Sequence, residues 1–98
     1  MGLFTKPDPI TPQAKLDRGS SAARILSEEA IMAALDELAA QAQQEWRQSR
    51  SADDMVRDVA YRQIAALDAL RAQLESWAGE AQMIQANLDK AERRSRAR

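Results

Sequence analysis

The sequence predicts an all-α protein: an antiparallel helical hairpin with a long second helix, a Pro-rich N-terminal arm and a basic C-terminal tail. Three observations carry this. All three prolines fall in the first twelve residues, so the rest of the chain is free of the residue that breaks helices. Alanine, the best helix former, occupies 20 of 98 positions. Large apolar residues beyond Ile25 recur at steps of three and four, the helical period.

Residues 1–19 read as an extended arm holding one short helix. Pro7, Pro9 and Pro12 each remove a backbone donor and bias the preceding residue toward extended geometry. Thr11-Pro12 has the form of an N-cap followed by proline at the first helical position. The short helix is expected over 12–18, with Gly19 as its stop. Phe4 and Ile10 are large apolar side chains where no local core exists, which suggests docking on a partner.

The hairpin is expected over 20–93. Ser20 or Ser21 can cap a restart into Ala-Ala-Arg-Ile-Leu, and Ser27 can cap a second one, since Glu28 and Glu29 suit the positive end of a helix. The pattern leaves open whether residues 20–48 are one helix or two. Ile25, Met32, Ala39 and Trp46 lie seven apart, with Leu35 and Ala42 between them. Ile31 and Leu38 widen that stripe, as a helix with two neighbours would need. The period stops at 49–51, where a tight turn makes the flanking helices antiparallel neighbours. Ser51 and Asp54 resemble a capping box.

The second helix is expected from Ala52 to about Arg93. Leu67, Leu70, Leu74, Trp77, Ala81, Ile84 and Leu88 follow a strict alternation of three and four that does not slip at Gly79. A helix of this length outruns its partner, so Ile84 and Leu88 are expected to seek cover elsewhere. Across the turn, Trp46 is expected to face the region of Met55 and Val56, and Trp77 to lie near Ile25 and Leu26. The interface candidates are Phe4, Ile10, Trp46, Leu67, Leu70, Leu74, Trp77, Ile84 and Leu88. Leu, Ile, Val and Phe total only 17 residues, a thin core for a chain of this size, so a homo-oligomer or a larger partner is expected.

Composition excludes much chemistry. The chain has no Cys and no His, which removes disulfides, thiol nucleophiles, the usual zinc sites and the commonest general base. Glu28/Glu29, Asp36/Glu37 and Asp53/Asp54 are adjacent pairs that diverge on a helix, not preformed carboxylate dyads. No phosphate-binding glycine loop or hydrolase elbow is present. No catalytic residue, cofactor, metal or small-molecule substrate is expected; the chain reads as a non-enzyme. The N-terminus lacks the pattern of a secretion signal, and no apolar run approaches a membrane span.

Charge is unevenly placed. Lys90, Arg93, Arg94, Arg96 and Arg98 against Glu92 give residues 90–98 a net +4, which leaves −5 for the remainder of a chain whose total is −1. The tail 94–98 and its approach are therefore candidate nucleic-acid contacts. The acidic body and the absence of a groove-reading motif oppose a wider footprint.

Four pieces together are similar to known proteins: RGSSAARIL at 18–26, ALDELAAQAQQEWRQS at 34–49, DDMVRDVAYRQIAALDALRAQLESW at 53–77, and AQMIQANLD at 81–89 after Gly79. This order resembles small α-helical proteins encoded in the head and packaging gene clusters of tailed DNA bacteriophages and prophages. The arm and tail lie outside it. The resemblance implies a structural or assembly component of the virion, associated with capsid or portal, in the particle or the host cytoplasm. It supplies no catalytic residues. The alternatives are a nucleic-acid-associated accessory protein using the Arg-rich tail, and a small helical regulator or chaperone.

Overall fold

The computed structural model describes residues 10–50 and 52–97. Their regular structure is wholly helical: α1 (Pro12–Ser27), α2 (Glu29–Gln48) and α3 (Asp54–Arg96). Thr11 caps α1, its Oγ1 accepting from the Ala14 amide at 3.2 Å, and proline follows in the first turn.

Two expectations about α1 are overturned. Gly19 does not stop it, so residues 12–19 belong to a helix, and Ser20 and Ser21 are interior positions, not caps. Gly19 has no positive φ and is buried against α3, where packing outweighs the propensity cost of about 1 kcal/mol. Ser27 does not cap α2 either. Its hydroxyl donates back to the Arg24 carbonyl at 2.8 Å and closes α1. Glu28 makes the break, with ψ at 108°; its amide donates to Ile25 and its carbonyl accepts from Met32. Residues 20–48 are therefore divided between two helices at Glu28, one of the two arrangements that the pattern leaves open, and the separate short helix expected over 12–18 is absorbed into α1.

The second connection spans Ser49 to Asp53. The Ser49 hydroxyl donates to the Trp46 carbonyl at 2.6 Å, and the Arg57 guanidinium reaches back to the Ser49 carbonyl and hydroxyl, each at 3.3 Å. Asp53 accepts from the Arg50 amide, so its carboxylate closes the turn and does not cap its own helix. Ser51, half of the expected capping box, lies outside the described residues. The long helix begins two residues later than expected and ends three later, and it continues unbroken through Gly79.

At 1.5 Å per residue α3 is about 64 Å long, and α1 and α2 are about 24 and 30 Å. Both pack on α3 in descending order. Trp46 and Ser49 meet Arg57, Asp36 meets Arg71, and Arg18 meets Trp77 and Glu80. The shorter α1 makes the larger contact with α3. Its first turns reach Leu88, since Gln13 and Leu16 line one groove with Gln85 and Leu88. The far half of α3 is thus not left bare: Ile84 is half-buried by this chain itself. Against Trp77 lie Arg18 and Gly19, about two turns before the expected Ile25 and Leu26 in α1.

The buried residues are small or few: Gly19 and Ala22 on α1, Leu35 and Ala42 on α2, Ala60 and Leu74 on α3. The radius of gyration is 19.7 Å, where a compact chain of this length would have about 13 Å.

Candidate interaction surfaces

The α1–α3 contact is built around a glycine. A Cβ at Gly19 would lie 2.5 Å from the Trp77 carbonyl oxygen and closer still to the Ala81 Cβ. Only the bare backbone allows the helices to approach this closely. One residue before it, the Arg18 guanidinium lies over the Trp77 indole, 4.9 Å from the ring centre, and reaches Glu80 at 3.4 Å. Lys15 meets the same carboxylate at 3.2 Å. The hydrogen bond from Lys15 holds the Glu80 carboxyl below its usual range; partial burial opposes this, and the charges of Lys15 and Arg18 add to it. Arg18 Nε is buried without a hydrogen-bond partner, so the indole and the carboxylate hold the rest of the side chain.

The α2–α3 contact repeats the pattern. Arg57 stacks over Trp46 at 4.3 Å from the ring centre while bonding Ser49. Arg71 pairs with Asp36, whose hydrogen bond raises the guanidinium pKa further above its usual value. Each tryptophan therefore lies under an arginine of another helix. Trp46 meets Arg57, within the expected region of Met55 and Val56, whose own side chains are exposed.

The interface candidates do not converge on one site. Leu74 is buried; Leu67, Trp77 and Ile84 are half-buried; Ile10, Trp46, Leu70 and Leu88 are exposed. Leu67 lines a groove between α2 and α3 with Leu38 and Ala66. Lys90, Arg93, Arg94 and Arg96 are exposed on the last turns of α3, and Arg96 pairs with Glu92. Phe4 and Arg98 lie outside the described residues. The sequence reading missed Lys15, Arg18, Gly19, Arg57 and Glu80. The signal for Gly19 was its neighbour Ala22, which puts small residues on one face of a helix.

Among the described residues no group of three or more Asp and Glu side chains is placed to hold a metal ion, and no helix is long and apolar enough to cross a membrane. Comparison with protein-family models, curated proteins and solved structures finds no match to this chain.

Proposed function

We propose that this protein is a non-enzymatic helical interaction component that acts through its surfaces, and that its setting is the assembly of a phage particle, at capsid or portal. The observation that carries the interaction reading is the exposed apolar surface. Leu38, Trp46, Val56, Val59, Leu70 and Leu88 all remain exposed on a long, thin scaffold. Scattered exposed residues are ordinary, but stripes of them at helical spacing mark docking faces. The placement in a phage particle rests on the sequence resemblance alone. In this reading the arm with Phe4 and Ile10 docks on a larger virion protein, and α3 and α1 form the stem that carries it.

A second reading has its own observation. Lys90, Arg93 and Arg94 extend beyond Leu88, the last α3 residue that shares a groove with α1, and face solvent. They can make phosphate contacts that weaken steeply with salt. One experiment separates the two. Deleting residues 1–10 keeps the Thr11 cap; deleting 93–98 removes four arginines. With both variants shown to be helical, incorporation into particles with the co-encoded head proteins is measured beside DNA retention at low and moderate salt. The docking reading expects loss of incorporation without the arm and little change without the tail. Incorporation that survives loss of the arm but fails without the tail overturns it.

A further inference from the structure

We infer that the face formed by α2 and the first half of α3 is a self-association surface whose occupant is a second copy of this chain. Val56, Val59, Gln63, Ala66 and Leu70 recur at three and four along α3, and Trp77, Ala81 and Ile84 continue the same stripe. In the second half of α3 the chain covers that stripe itself: Gly19 is pressed against Ala81, Arg18 lies over Trp77, and Ile84 is half-buried. In the first half Val56, Val59 and Leu70 remain 52%, 48% and 49% exposed. α1 turns away at Glu28, so one apolar stripe is half covered and half open.

The open half has a matching edge on α2. Leu38 borders a groove with Ala66 and Leu67, and Ile31, seven residues earlier on the same helix face, is also exposed. The vacant run from Val56 to Leu70 is about 21 Å long, enough for four turns of helix.

Area and charge favour a second copy as the occupant. The chain exposes 8209 Å², whereas a compact protein of 10.9 kDa exposes about 5,600 Å². That surplus is spread over the whole elongated chain, and the roughly 800 Å² that each partner contributes to a standard stable interface is a fraction of it. Charged residues make up 30% of the sequence, yet Glu45 is the only one lining the groove; Gln41 and Gln63 supply the rest of its polar surface. A groove so nearly neutral at the middle of this face brings no cluster of like charges together there when it meets its own copy, as a two-fold contact requires. This pairing goes beyond the assembly role proposed above. It is read on the purified chain alone, so it can fail or stand whatever happens in particles.

The test is the mass of the full chain in solution, by sedimentation equilibrium across micromolar concentrations. The wild-type chain is expected to be a dimer. Leu38→Glu, Leu70→Glu and Val59→Glu each place a carboxylate on a site already half open in the single chain, so circular dichroism should show undiminished helicity. Each should weaken association by about a hundredfold or more, because an unpaired carboxylate is forced into an apolar contact. Met83→Glu alters an exposed residue off this stripe and should leave the dimer intact. A monomeric wild-type chain overturns the inference, as does an unchanged dimer in all three face variants. Equal disruption by Met83→Glu also overturns it, since the association would then be unspecific.

Discussion

The two helical glycines should respond oppositely to one substitution. Gly79 has open space where a Cβ would sit, and it lies in mid-helix. Gly79→Ala therefore gains the helix-propensity difference alone, about 0.5–1 kcal/mol. Gly19→Ala gains the same amount but must accommodate a methyl group 2.5 Å from the Trp77 carbonyl oxygen and nearer still to the Ala81 Cβ. Neither obstacle is the tip of a flexible side chain. Ordinary carbon contacts need about 3.5–4.0 Å, so α1 has to lift off α3 by more than about 1 Å. That movement draws Lys15 and Arg18 from Glu80 and Arg18 from Trp77, and it opens the site where Ala22 is buried. Overpacking of this kind costs about 1–3 kcal/mol, which exceeds the propensity gain over most of its range. For a chain of about 100 residues 1 kcal/mol moves the melting midpoint by about 4–8 °C. Thermal and urea unfolding followed at 222 nm, at one fixed protein concentration, should put Gly79→Ala above wild type and Gly19→Ala below it. Association makes the midpoint concentration-dependent, which is why the concentration must be held. A Gly19→Ala midpoint that rises alongside that of Gly79→Ala would refute the close contact.

The remaining expectations test other contacts. Glu80 releases its proton more readily in the folded chain than in the unfolded one. Its contribution is therefore complete above the ordinary glutamate range and is lost as pH falls through the lower folded value; an acid titration of stability should be shallower in Glu80→Gln than in wild type, and parallel curves would show that the Lys15 and Arg18 contacts carry no stability. Leu74→Ala empties a buried α3 position and should cost about 2–5 kcal/mol in urea unfolding, where an unchanged midpoint would mean the site is not packed. Arg57→Ala removes the cation over Trp46 and the donor to Ser49; a loss of about 1 kcal/mol and a changed Trp46 emission in a Trp77→Phe background are expected.

What the sequence made legible was periodic, and what it hid was pairwise. The alternation from Leu67 to Leu88 specifies a helix through Gly79 because each step is local, and α3 is indeed continuous there. Gly19 carries no such instruction. A glycine seven residues into a helical pattern can end the helix or let a neighbour approach, and the choice depends on Trp77 and Ala81, about sixty residues away. The break at Glu28 was half legible: Ser27 before Glu28 and Glu29 offered a restart there, but no proline or glycine marks it, and the seven-residue spacing from Ile25 through Met32 to Trp46 runs straight across it. Treating that spacing as a single seam paired about the turn put Trp77 level with Ile25, whereas Arg18 and Gly19 lie against it. It also concealed why the chain is only half covered. If residues 12–48 were one straight helix, every part of it would lie along the same side of α3. Breaking at Glu28 instead lets α1 settle over Trp77, Ala81 and Ile84 while α2 lies beside Ala60 and Leu67. The stripe from Val56 to Leu70 is left open by that turn, so the residue that completes the fold at one end of α3 also leaves an apolar face at the other.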